Sequence, residues 1–217
     1  MRQIFLAFAL MVMAAPIAAE AQQRFPKWYV GLQGSMNFVD DGDVDTSNAL
    51  IGNTDIEYDN GYGVGIALGY MPAGTGSLLD NMRFELEYGY RKSDVDSVDG
   101  ITGDGNIHSN TGMLNAYYDF NTGTQWLPYV GAGLGWSQVE LKTGRGAVND
   151  DDSVFAWNLM AGVGYAPTSI PNTVWTIGYR YFATEDPDFS ITPAFGGGRA
   201  ETDYDVHNIE AGVRMMF

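Results

Sequence analysis

The sequence predicts an all-β fold, a closed antiparallel sheet of eight strands, and three observations carry that prediction. The last eleven residues alternate without a break: His207, Ile209, Ala211, Val213, Met215 and Phe217 share one face of a strand, and Asn208, Glu210, Gly212, Arg214 and Met216 share the other. Seven earlier segments repeat that alternation at a length of roughly 10 to 12 residues. The chain has no cysteine, so neither disulfides nor a zinc–thiolate site supports it, and its stability must come from sheet closure or packing.

Taken in order, the first strand spans about residues 28–39, with Trp28, Val30, Leu32, Gly34, Met36 and Phe38 on one face and Tyr29, Gly31, Gln33, Ser35 and Asn37 on the other. The second, about 60–71, sets Tyr62, Val64, Ile66, Leu68 and Tyr70 against glycines and Ala67. The third, about 81–92, sets Met82, Phe84, Leu86, Tyr88 and Tyr90 against Arg83, Glu85, Glu87, Gly89 and Arg91. In the fourth, about 107–120, Leu114, Ala116, Tyr118 and Phe120 oppose Met113, Asn115, Tyr117 and Asp119, and a polar first half leaves its start open. Val130, Ala132, Leu134 and Trp136 mark the fifth strand, opposite Gly131, Gly133 and Gly135. Phe155, Trp157, Leu159, Ala161, Val163 and Tyr165 mark the sixth, opposite Asn158, Met160, Gly162 and Gly164. Trp175, Ile177, Tyr179 and Tyr181 mark the seventh, with Thr176, Gly178 and Arg180 behind them, and residues 207–217 form the eighth.

The connections alternate in length. Residues 71–80, 121–125 and 166–172 are short and rich in turn formers, whereas 40–59, 93–106, 142–153 and 184–205 are longer and polar. An even strand count with that asymmetry describes an eight-stranded antiparallel transmembrane β-barrel with short periplasmic turns and four long extracellular loops. A soluble lipocalin-like barrel would show the same alternation with its faces exchanged. Two features favour the membrane: the faces opposite the apolar ones are mostly glycine, too small for a soluble exterior, and aromatic residues gather near both strand ends.

The N-terminus fits that destination. Residues 1–21 hold Arg2, an apolar run from Ile4 to Ala15, and the small-residue pattern Ala19-Glu20-Ala21, the layout of a secretory signal peptide rather than a buried amphipathic helix. Residues 22–217 are then one domain, the barrel. Its 10 basic and 26 acidic residues, after removal of Arg2 and Glu20, leave a net charge of −16 with no basic patch, which argues against nucleic-acid binding. No run in it approaches 18 apolar residues, so a helical span is excluded.

Four segments resemble a known family: Trp28-Tyr29-Val30-Gly31-Leu32, Pro128-Tyr129-Val130-Gly131-Ala132-Gly133-Leu134-Gly135, Gly178-Tyr179-Arg180-Tyr181-Phe182 and Gly212-Val213-Arg214-Met215-Met216-Phe217. They are similar to the OmpA-like outer-membrane β-barrels of Gram-negative bacteria, a group of surface antigens and "porin family" proteins, and the similarity covers essentially all of residues 22–217. The resemblance implies fold and location but not activity, since the family hosts structural, adhesive and small-channel members. It further implies that Phe217 is the recognition signal for the outer-membrane assembly machinery. No peptidoglycan-binding domain follows in the sequence, so a wall-tethering role is not implied.

Three groups of residues could carry chemistry. The first is the inner charges Arg83, Glu85, Glu87, Arg91, Asp119, Arg180, Glu210 and Arg214, four of each sign. An eight-stranded barrel is just wide enough to be filled by side chains, and counting from the hairpins sets Arg83 opposite Asp119 and Arg180 opposite Glu210. Glycines on strands two, five and six leave room for the long side chains. Pairing is required either way because a buried unpaired charge costs several kcal/mol; an ion-pair plug is favoured over a gated ion path.

The second group is the acidic loops, which hold 20 of the 27 carboxylates. Asp41, Asp43 and Asp45 have the spacing of a calcium loop, but its sixth and twelfth positions are Thr46 and Gly52 where glycine and glutamate are needed. These three and Asp150, Asp151 and Asp152 are read as weak divalent-cation contacts on a solvated surface, with no metal site assigned. The third group is catalytic: His108 neighbours Ser109 and so faces the opposite side of its strand, and His207 lies on the apolar face near the outer rim. That arrangement argues against an enzyme, and no cofactor is implied.

The sequence therefore points to a structural, surface-displaying barrel that contacts outer-membrane lipids and lipopolysaccharide, with a narrow channel and an adhesin as alternatives and any extracellular ligand unidentified. Trp28, Tyr70, Tyr90, Trp126, Trp136, Trp157 and Trp175 are assigned to membrane positioning.

Overall fold

The computed structural model describes residues 27–39, 42–46, 54–58, 61–73, 77–98, 101–143, 149–185, 188–190, 199–202 and 205–217. Eight long strands close on themselves: β1 (Lys27–Val39), β4 (Gly61–Met71), β5 (Met82–Val98), β6 (Ile101–Asp119), β7 (Trp126–Thr143), β8 (Asn149–Tyr165), β9 (Thr173–Thr184) and β12 (Asp205–Met216). Each pairs antiparallel with its neighbour in that order, and β12 returns to β1 through a ladder running from Tyr29↔Met216 to Val39↔Val206. Closure leaves the eight strands no edge. Four shorter strands, β2 (Gly42–Thr46), β3 (Thr54–Tyr58), β10 (Asp188–Ser190) and β11 (Arg199–Thr202), pair in the order β10-β11-β2-β3 and join the far end of β5.

Alternation decides which side chains meet lipid. On β4, Tyr62, Val64, Ile66 and Leu68 are exposed while Gly63, Ala67 and Gly69 are buried, and the same reversal of a soluble core holds on every long strand. The band has a width. From Trp28 to Phe38 the outward face of β1 advances ten residues, which at ~3.3 Å per residue and a tilt of ~40° spans roughly 25 Å of hydrocarbon. Aromatic pairs border it on both sides: Trp28 with Tyr70 (ring centroids 5.0 Å apart) and Trp126 with Tyr165 (4.7 Å) at the end of the short turns, Trp136 with Phe155 (6.3 Å) and Trp157 with Tyr181 (5.3 Å) at the other.

The turns hold their shape with local chemistry. Ser77 caps a short 3-10 turn at Leu78–Asn81 by accepting the Leu79 N–H at 3.2 Å. In the β6–β7 turn Asn121 accepts the Gly123 N–H at 3.1 Å, and Gly123 sits at φ 69°, where a side chain would be strained.

Two of the expected loops are instead largely strand. Residues 93–106 continue the β5–β6 ladder as far as Val98↔Ile101, and 142–153 continue the β7–β8 ladder as far as Lys142↔Asn149. Parts of 40–59 and 184–205 form the four short strands. Apolar alternation ends where lipid ends, because neither face of the sheet then meets hydrocarbon, but backbone pairing does not depend on that contrast and goes on.

Candidate lumenal site

The inward positions of β5, β6, β9 and β12 bring the eight anticipated charges into the lumen, where they form two groups. Toward the short-turn end, Arg83 donates from Nε to Asp119 Oδ1 at 3.1 Å and from Nη1 to Glu85 and to the Tyr29 hydroxyl (3.4 Å). Tyr29 in turn donates to Glu85. The Arg83 guanidinium lies 3.5 Å from the centroid of the Tyr117 ring and 5.0 Å from that of Tyr129, so its faces are covered by aromatic surface as well as its edges by oxygen. Arg214 Nη1 stands 3.7 Å from Asp119 Oδ2.

Farther along the lumen Arg180, which is 0% exposed, reaches across from β9 to β5. Its Nη1 and Nη2 donate to Glu87 Oε1 (2.7 Å) and Oε2 (2.9 Å), and its Nε lies 2.9 Å from Glu210 Oε1. Glu87 also accepts from Gln33 Nε2 (3.0 Å) and Asn115 Nδ2 (2.7 Å). Arg91 donates to Thr111 Oγ1 at 3.2 Å and lies 4.3 Å from the Phe182 ring centroid. Each group carries two arginines and two carboxylates, so each is neutral. That balance matters because an uncompensated charge at this depth costs several kcal/mol, whereas a two-bonded guanidinium–carboxylate fork is among the stronger polar contacts. Between the groups a cavity of about 30 Å³ remains, bounded by Arg83, Glu85, Glu210 and Arg214, room for about one water.

The register departs from the expected one. Arg83 stands opposite Tyr117, not Asp119, and Arg180 opposite Asn208, not Glu210. Both arginines reach their acids on the diagonal, a distance that long side chains cover. Each partner differs from the expected one by two residues, a displacement that keeps every side chain on its face and so leaves no trace in the alternation.

Some of the glycines serve different neighbours than anticipated. Tyr29 pairs with Gly69, Tyr117 with Gly131 and Tyr129 with Gly162. A Cβ at 69 would fall 2.0 Å from Tyr29 Cζ, at 131 2.4 Å from Tyr117 Cδ1 and at 162 2.5 Å from the Tyr129 hydroxyl. Three of the glycines on these strands thus make room for tyrosines that complete the plug, while Gly63 and Gly164 leave room for Arg91 and Arg214. Sequence reading put Tyr29 and Tyr117 on the inner face without a role and passed over Tyr129; the signal was an inward tyrosine facing a glycine, legible only once the register is known.

The other candidates separate. Asp41 lies outside the described residues; Asp43 and Asp45 fall in β2, and Asp150, Asp151 and Asp152 fall in β8 rather than on a loop. Asp152 Oδ1 accepts the Ser153 N–H at 2.8 Å. Among the described residues no three His, Asp or Glu side chains converge to hold a metal ion. His108 faces outward and its Nδ1 bonds the Tyr90 hydroxyl at 2.9 Å, while Ser109 faces inward against Ser137 Oγ, also at 2.9 Å. His207 bonds the Tyr179 hydroxyl and packs beside Tyr181 on the outer surface. The backbone N–H of Phe217 donates to Trp28 O at 2.9 Å, and its ring is 74% exposed on the lipid side.

Comparison with known proteins decides the family. Residues 5–217 match the outer membrane protein beta-barrel domain. The chain belongs to that family. Like its other members it is an outer-membrane barrel. The outer membrane protein PagN of Salmonella typhimurium is 31% identical over 163 residues, covering 66% of this chain and 65% of PagN. An uncharacterized protein of Brucella abortus is 27% identical over 134 residues, covering 49% of this chain and 46% of its own length. The chain thus matches somewhat less than two thirds of the first of these curated relatives and under half of the second. Among solved structures, OprG from Pseudomonas aeruginosa is similar in fold at a TM-score of 0.61 and 19% identity, covering 90% of this chain and 98% of OprG. Neisserial surface protein A is similar at 0.52 and 20%, covering 89% of this chain and all of its own.

Proposed function

We propose that this outer-membrane protein is a non-conducting, non-enzymatic barrel with a structural and surface-display role. One observation supports the reading above the others: the fork between Arg180 and Glu87 crosses the lumen from β9 to β5 with both side chains buried. Ion passage would require that fork to open in the membrane interior, with both partners losing their compensation. The separation of His108 from Ser109, and the engagement of both histidines with tyrosine hydroxyls on the outer surface, supports the absence of catalysis. In this reading residues 1–21 are removed on export, Phe217 addresses the chain to the outer-membrane assembly machinery, and the acidic extracellular segments meet lipopolysaccharide through divalent cations or an external ligand.

Single-channel recording of the refolded protein in a planar bilayer tests this, with Glu210→Ala beside the wild type. The expected wild-type trace is silent. Steady wild-type conductance that changes in the variant would replace the plug with a permeation path.

A further inference from the structure

The end of the barrel that carries the short turns, the periplasmic end of such a fold, opens into a second cavity unlike the rest of the lumen. Its volume is about 370 Å³, within the size range of small-molecule sites. Its wall is a collar of inward-facing apolar residues, Met71, Leu127, Val174 and Met216, although the lumen beyond is polar. Its floor is formed by Tyr29, Asp119 and Arg214.

Arg214 is incompletely satisfied there. It is 7% exposed, and its Nε has no hydrogen-bond partner among the described residues. Its contact with Asp119 is long, 3.7 Å, because the other oxygen of that carboxylate is held by Arg83 at 3.1 Å. A buried guanidinium with an unused Nε–H and one long carboxylate contact favours a further anionic acceptor, which a carboxylate supplies. The apolar collar above it favours a hydrocarbon body over water. At the mouth Lys27 and Asp80 offset each other, and on the floor Asp119 stands 3.7 Å from Arg214 and is shared with Arg83, which leaves Arg214 the less tightly held cation of the cavity.

From this pairing we propose that the periplasmic vestibule binds a small amphiphilic carboxylate, with its head group on Arg214 and its short aliphatic body against Met71, Leu127, Val174 and Met216. The site is independent of conduction: it lies on one side of the Arg180–Glu87 fork and needs no passage through it.

Hexanoate is the probe. The refolded protein in lipid nanodiscs is titrated with hexanoate, 1-hexanol or hexylamine while the backbone amide signals of Tyr29, Asp119, Val174 and Arg214 are followed by NMR. Hexanoate is expected to give saturable shifts at these residues, with the alcohol and the amine at least tenfold weaker. Arg214→Gln removes the cation and Leu127→Trp narrows the cavity with Arg214 in place; each should weaken hexanoate binding at least tenfold. Non-saturating shifts, equal responses to acid and alcohol, or wild-type binding by Leu127→Trp would overturn the proposal. Leu127→Trp decides alone should Arg214→Gln not refold.

Discussion

Tyr117 stands directly across the β6–β7 ladder from Gly131, and its ring occupies the volume a side chain at 131 would need. A Cβ there would lie 2.4 Å from Cδ1 and 3.0 Å from Cγ of that ring, with Arg83 stacked on the same tyrosine. Gly131→Ala should therefore cost about 1–3 kcal/mol through overpacking, read as a lowered urea midpoint in lipid vesicles. Tyr117→Leu in the same chain should recover part of that loss. Gly112 faces outward with nothing within 4 Å of the corresponding position, so Gly112→Ala should change stability by less than about 0.5 kcal/mol.

The Arg180–Glu87 fork makes a different prediction, one about sign. Glu87→Ala should destabilise by about 3–5 kcal/mol because Arg180 stays buried with half its compensation gone. Glu87→Leu combined with Arg180→Met should recover only part of that loss, since it removes the desolvation cost of the fork but leaves Glu210 without the guanidinium that lies 2.9 Å from it. A double variant as unstable as the single one would mean that the fork itself supplies the stability.

The lipid-facing surface should respond to charge according to depth. Ile66 is 51% exposed and lies midway between Tyr62 and Tyr70 on β4. Ile66→Arg should cost about 2–4 kcal/mol, and Gln138→Arg, beyond Trp136 on β7, about 0–1. Equal costs in vesicle unfolding would show that the hydrocarbon band is not where the aromatic pairs set it.

Tryptophan position can be measured directly. Trp28, Trp126 and Trp175 belong to one rim and Trp136 and Trp157 to the other, and all five are exposed. Lipids brominated close to the head group should quench their fluorescence more than lipids brominated near the chain ends. Stronger quenching from the chain ends would place the rims inside the bilayer.

The strands inside the membrane were legible because lipid imposes a sharp contrast between faces; the outward sets of β1, β4 and β7 follow from sequence alone. Their continuation beyond the membrane was not, since residues such as Asp94, Asn106 and Asp150 alternate with nothing that distinguishes one face from the other. The inner charges could be named from parity. Which charges meet could only partly be named: Arg83 with Asp119 and Arg180 with Glu210 are near neighbours along the chain's hairpins, but Arg180 with Glu87 crosses the barrel, 93 residues apart. Cross-lumen contacts depend on barrel diameter and stagger, which no single hairpin encodes. The vestibule was missed for a related reason, because Met71, Leu127 and Val174 sit at strand ends where an apolar residue on the inner face looks like a lapse in the pattern.

The ladder between β1 and β12 joins the first barrel strand to the last. Every partial assembly that lacks β12 leaves β1 with a row of open hydrogen-bonding groups, and the reverse holds for an unclosed β12. Those two edges are most adhesive during insertion, when lipid offers the backbone no substitute partner. The final pairing spans nearly the whole chain and so carries the largest loop-closure cost of any ladder. Biogenesis of this barrel is therefore a problem of timing more than of stability: the two edges have to be kept from other strands until they meet each other.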